Sequence, residues 1–200
     1  MMALGSLVAA AIIHTFDVTI IRNIAGSRGE DLVNVCKTLS QEGRYILLVI
    51  IAALLGLLAS YLIRSFRAAI AVVVTASVAM LVNPLVKSVF ERPRPDIAYA
   101  VYRVGGYSFP SGHSTSTMSI AVAVILILAS SRSVSGRWLA AATVVLVSLA
   151  ASVGFSRTCL GVHYPSDVLA GWALGTLCAL IIVGVALRQR PRAVEAEPPA

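Results

Sequence analysis

AAIAVVVTASVAMLVNPLVKSVFERPRP, residues 68–95, carries both halves of this chain's character in one stretch. Residues 68–86 form an apolar run close to the ~20 residues that a helix needs to cross a bilayer. Lys87, Arg92 and Arg94 follow at once. Outward from this stretch, further apolar runs lie roughly at 3–16, 45–63, 113–130, 138–155 and 168–187. The first is short and is followed by Asp17, so it reads as a tilted or truncated span or an interfacial helix. No basic region precedes it, which argues against a cleaved signal peptide. Leu, Ile, Val and Ala dominate without period-2 alternation, which predicts helices rather than a barrel. The chain is 58% hydrophobic and only 12% charged, where a soluble domain is about 25% charged. These features predict an all-α, polytopic membrane helix bundle of about six transmembrane helices. It forms a single domain over 1–187 and ends in a disordered cytoplasmic tail, 188–200, rich in proline and charge.

The formal charge is +7. The cations sit in loops between apolar runs, which suits membrane topology and anion binding rather than nucleic acid. Arg64, Arg67, Arg132 and Arg137 fall in short loops without acids, on the same side as Arg188, Arg190 and Arg192. The positive-inside rule makes that side cytoplasmic. On the other side, the longer 17–44 loop balances Arg22, Arg28, Lys37 and Arg44 with Asp17, Glu30, Asp31 and Glu42, and it carries Cys36.

Three clusters lie at apolar-run ends on that outer side: Lys87 to Pro95, Pro110 to His113, and Ser156 to Asp167. In such an apolar chain, these cations and histidines call for a multiply charged anion, and phosphate is the obvious one. Pro110-Ser111-Gly112-His113 opens a helix, whose unpaired N–H groups and positive dipole end attract oxyanions. Ser111 can cap the helix or donate to phosphate, and Gly112 lets the backbone approach closely. Arg94 and Arg157 offer bidentate forks, and Lys87 a point charge. His163 is the candidate nucleophile. Asp167, four residues on, shares its face on a continuing helix and can hold the imidazole tautomer. His113 can protonate the leaving oxygen. Glu91, Asp96 and Asp167 are too few and too scattered for a two-metal clamp, so neither a metal nor any other cofactor is expected.

At these residues the chain resembles the type 2 phosphatidic acid phosphatase family. That signature is a lysine, six residues and Arg-Pro; a PSGH; then Ser-Arg, five residues, His, three residues and Asp. Lys87, Arg94 and Pro95 match the first part, and Pro110, Ser111, Gly112 and His113 the second. Ser156, Arg157, His163 and Asp167 match the third. The resemblance covers roughly 45–187. It implies a six-helix bundle, a phosphohistidine at His163, and removal of a terminal phosphate from a membrane lipid. It places Pro95, Pro110 and Ser156 in support. The implied substrate is undecaprenyl diphosphate or a phosphatidate or phosphatidylglycerophosphate, with lipid A phosphatase as the alternative. The implied location is a bacterial inner (plasma) membrane with the site facing outward. Vanadium haloperoxidases share the anion cradle but are soluble. A non-catalytic lipid-binding bundle would have no need of His113, His163 and Asp167 together.

Other residues read more plainly. His14 is interfacial. Arg92 and Arg103 touch an acidic headgroup or solvent. Tyr99, Tyr102, Tyr107, Trp138 and Trp172 fit an aromatic belt. Gly171 and Gly175 form a G-xxx-G, a mark of close helix packing. Cys36, Cys159 and Cys178 imply no disulfide framework.

Overall fold

The computed structural model describes residues 2–41 and 45–188, with side chains for 11–40 and 50–188. Seven α-helices follow in order among these residues: α1 Met2–Ser27, α2 Glu30–Gln41, α3 Tyr45–Ile63, α4 Arg67–Phe90, α5 Gly112–Ala129, α6 Gly136–Cys159 and α7 Pro165–Arg188. There is no strand among the described residues. Among the described residues four helices, α4 to α7, are long and apolar enough to cross a membrane. The chain is thus the all-helical membrane bundle expected from its composition.

One expectation is corrected. Most of the segment 17–44 is helical rather than a loop: α1 continues through Asp17 to Ser27, and α2 follows to Gln41, while 42–44 lie outside the described residues. Asp17 does not end the helix because its carboxylate finds partners inside the protein. α2 is a short amphipathic helix with Glu30 and Asp31 in its first turn, where the helix dipole favours acids. It packs on α6 and buries Cys36. Arg188 closes α7; residues 189–200, the rest of the expected tail, lie outside the described residues.

The core is built from small residues. α5 is central and packs against α3, α4, α6 and α7. A Cβ on Gly175 would come within 2.2 Å of the Thr115 carbonyl oxygen, and one on Gly171 within 2.7 Å of the Ser111 oxygen. The G-xxx-G therefore lets α7 lie directly on α5, at the end where Ser111 starts that helix. On α3 and α4, Ala52, Ala59, Ala68, Ala71, Ala76 and Ala79 are buried, while Leu54, Leu58, Leu81 and Leu85 face outward. This inversion suits a lipid surround, where close backbone approach rather than apolar burial holds helices together.

The helix ends set the site. α4 runs past its apolar stretch, so Lys87 sits in its last turn. Glu91 then takes a left-handed conformation (φ 45°) and donates its N–H to the Lys87 carbonyl at 2.9 Å. Pro93 cannot continue a helix. Ser111 caps α5 by accepting the Ser114 N–H. Arg157 lies in the last turn of α6, and Asp167 in the first turn of α7.

Candidate active site

The three clusters meet at one end of the bundle. His163 is 2% exposed and Asp167 is fully buried. His163 precedes α7, so a turn rather than a shared helix face brings it to Asp167. Its Nδ1 lies 3.4 Å from Asp167 Oδ2. The same oxygen accepts the Tyr164 N–H at 2.9 Å and a short hydrogen bond from the Ser108 hydroxyl. An acceptor-only carboxylate beside Nδ1 assigns the imidazole proton there and leaves the Nε2 lone pair free. Nε2 faces Arg94, whose Nη1 is 3.2 Å away.

The cations are held by backbone oxygens and hydroxyls. Arg94 also donates to the carbonyls of Gly105, Gly106 and Val162, at 3.2, 3.1 and 2.8 Å. Lys87 donates to those of Tyr107 and Ser108, at 2.8 and 3.0 Å. Arg157, 4% exposed, gives its Nη1 to Tyr102 Oη at 3.0 Å and to Ser40 Oγ. Its Nε has no partner. An unpaired guanidinium N–H in so buried a place fits an anion ligand. His113 is half-buried at the start of α5. Ser111 donates its own N–H to the Asp167 carbonyl at 2.9 Å, tying the α5 start to α7. Pro95 and Pro110 are buried beside the site. Ser156 turns its hydroxyl to the Val153 carbonyl within α6. A cleft of about 280 Å³, lined by Arg94, Pro95, Tyr102, Arg103 and Val162, adjoins the cluster.

Several partners were not evident in the spacing. Arg92 is no headgroup contact. It donates to Asp167 Oδ1 and Asp17 Oδ2, each at 2.7 Å, and stacks 4.2 Å over the Tyr164 ring. Ser108 and Ser40 lie outside the motif residues. Tyr102 serves Arg157, and Trp172 packs over Gly154. Trp138, 74% exposed, remains suited to an aromatic belt. His14 sets its ring edge against Tyr164. Asp17 had a readable signal: an acid inside IIHTFDVTII, since an ionisable residue within an apolar span marks a functional site by default.

Burial pushes the His163 imidazole down from its ordinary 6.5 to about 4; the charges of Arg94 and Arg157 add to this, and Asp167 opposes it. Burial, then Arg157, also pushes Arg94 below the ordinary arginine range. His163 is therefore neutral at pH 7, with its lone pair available. As pH falls below 6.5 the unfolded chain takes up a proton that the folded one refuses until about 4. Stability present above 6.5 is thus lost across that window, by about 3 kcal/mol at ~1.4 kcal/mol per unit. Thermal melting in detergent at pH 7, 6 and 5 checks this. The margin of wild type over His163→Asn should shrink as pH drops; a constant margin contradicts it.

Fold and site together define an integral membrane helix bundle with a buried cluster of cations and histidines at one end. The PAP2 superfamily model matches residues 67–191, and the chain belongs to that superfamily. It is 37% identical over 158 residues to the decaprenylphosphoryl-5-phosphoribose phosphatase of Mycobacterium tuberculosis, covering 77% of this chain and 81% of that protein. It is 34% identical over 104 residues to the phosphatidylglycerophosphatase B of Bacillus subtilis, covering 52% of this chain and 51% of the relative. The crystal structure of a transmembrane PAP2-type phosphatidylglycerolphosphate phosphatase from Bacillus subtilis superposes with a TM-score of 0.79. Its sequence identity is 25%, over 95% of this chain and 96% of that one. The resemblance drawn from the three motifs thus holds.

Proposed function

We propose that residues 1–187 act as one phosphatase domain that removes a terminal phosphate from a membrane lipid through a phosphohistidine at His163. The observation that carries this is the neutral His163 ring set between Asp167 on Nδ1 and Arg94 on Nε2. Nε2 attacks phosphorus, and the P–O bond to the leaving group breaks. Asp167 stabilises the imidazolium that forms. Lys87, Arg94, Arg157 and the α5 start with Ser111 and Gly112 cradle the equatorial oxygens. His113 gives its proton to the leaving oxygen, and water then hydrolyses the phosphoramidate.

The substrate reading is a polyprenyl lipid ending in a phosphate, whether a diphosphate or a phosphorylated sugar. Support comes from the relative with the broader overlap and from an undecaprenyl-diphosphatase of Sulfolobus acidocaldarius, 28% identical over 74% of this chain. An apolar cleft of about 230 Å³, lined by Leu39, Ile51, Leu55, Thr117 and Leu149, opens one turn along α5 from His113 and suits a hydrocarbon chain. The outward-facing orientation in a bacterial inner membrane rests on the loop charges.

Phosphate release should be measured from a panel of polyprenyl diphosphate, decaprenylphosphoryl-5-phosphoribose, phosphatidylglycerophosphate, phosphatidate and lipid A, with and without excess EDTA. The polyprenyl substrates should turn over fastest, and chelation should leave the rate unchanged. Activity lost on chelation and restored by magnesium contradicts the mechanism. Preference for lipid A or a glycerolipid contradicts the substrate class.

A further inference from the structure

Among the described residues, the buried charge-bearing side chains are Asp17, Arg157, His163 and Asp167. Only Asp17 lies outside the three motifs. Its position is built on every side. Oδ2 pairs with Arg92 Nη2 at 2.7 Å and accepts the Ser166 hydroxyl. Oδ1 accepts the Ser166 N–H at 3.0 Å, in the first turn of α7. The same guanidinium gives Nη1 to Asp167 Oδ1 and to Ser166 Oγ, each at 2.7 Å. Asp167 then turns Oδ2 to His163. A continuous path, Asp17–Arg92–Asp167–His163, therefore links α1 to the reacting imidazole. Arg92 suits the middle place because its rigid planar fork can bridge two carboxylates at once.

Counting charge shows what Asp17 adds. Two carboxylates share one guanidinium, so the group keeps one net negative charge. Without Asp17, Arg92 would cancel Asp167 alone, and the group facing His163 would be neutral. Attack by Nε2 makes the imidazole cationic, and that charge needs the remaining carboxylate charge. Asp17 also holds Arg92 and Ser166, and with them the start of α7 that carries Asp167.

We propose that Asp17 is a positioning residue of the phosphatase reaction. Through Arg92 it leaves the charge of Asp167 available to His163, and it fixes the direction from which Asp167 meets the ring. The inference rests on His163 being the nucleophile.

A double-mutant cycle on the full chain in detergent tests it, using phosphate release from a polyprenyl diphosphate. Asp17→Asn keeps the shape and removes the charge. It should lower kcat about 10- to 100-fold and change KM less than about threefold, since the loss is confined to the transition state. Arg92→Gln alone leaves a buried carboxylate unpaired and should also lose activity. The double variant Asp17→Asn/Arg92→Gln should recover, with kcat above both single variants, because Asp167 regains its charge. A purely structural role predicts losses that add. Wild-type kcat in Asp17→Asn, or additive losses in the double variant, would overturn the proposal. Should Asp17→Asn not accumulate as a folded monodisperse protein, Arg92→Gln against the double variant decides on the same criterion. His163→Ala is run alongside. If it is active, the nucleophile reading fails; if it is inactive while the cycle is additive, only the role of Asp17 fails.

Discussion

His163→Ala is expected to lower kcat by about 10⁴-fold or more, the scale seen when a member of a coupled nucleophilic group is removed. The ring is 2% exposed, and its unprotonated Nε2 faces Arg94 at 3.2 Å. His113 is not placed to take over, because it starts a different helix, while the Asp167 carboxylate that would stabilise the imidazolium lies against His163. Lys87, Arg94 and Arg157 remain, so the lipid phosphate still binds and KM should stay within a few-fold. Steady-state phosphate release checks both values. Retention of more than a tenth of the wild-type kcat would contradict the assignment.

Arg157→Ala carries the second largest effect. Its guanidinium is 4% exposed, ties only one nitrogen to Tyr102 and Ser40, and leaves Nε without a partner. Such a donor is preorganised for charge developing on a phosphoryl oxygen, and losing one costs about 3 kcal/mol, or roughly 10²-fold. Truncation also removes the donor that Ser40 and Tyr102 share, leaving their hydroxyls only each other at 3.4 Å. Arg157→Lys should recover only part of the loss, since a point charge cannot reproduce the fork. Rates within threefold of wild type for Arg157→Ala would contradict its place in the cradle.

Much of this architecture is legible in the sequence, for definable reasons. Apolar runs long enough to cross a bilayer announce themselves by length, and the helix ends follow where proline and charge begin. Lys87, Ser111, Arg157 and Asp167 fall at such ends, so their common level needs no tertiary knowledge. What stays hidden depends on pairing across long separations. Asp17 and Arg92 are 75 residues apart, and Ser40 and Arg157 are 117 apart. Read alone, Asp17 ends a short hydrophobic segment, and Arg92 seeks solvent or a headgroup. Each is satisfied by the other, which is why α1 can run through an acid without a break. Ser108 is hidden differently: a serine before PSGH has no periodic signal, and only the loop path sets it on Asp167. Cys36 shows the same limit. It reads as an open-loop thiol, yet it lies buried against Cys159 on the inner face of α2, with its thiol pushed up to about 12 by burial and by that neighbour.

The covalent step is the centre of the account, and trapping it is the most direct test. Wild type and His113→Ala should be mixed with a lipid diphosphate labelled in its terminal phosphate, quenched in alkali within the first turnover, and digested for peptide mapping. Alkali preserves a phosphoramidate that acid destroys. Label should appear on the peptide containing His163, be lost on acid treatment, and build up further in His113→Ala when the leaving group is good. Label on another residue, or none at all while product forms in a burst, would contradict the phosphohistidine mechanism.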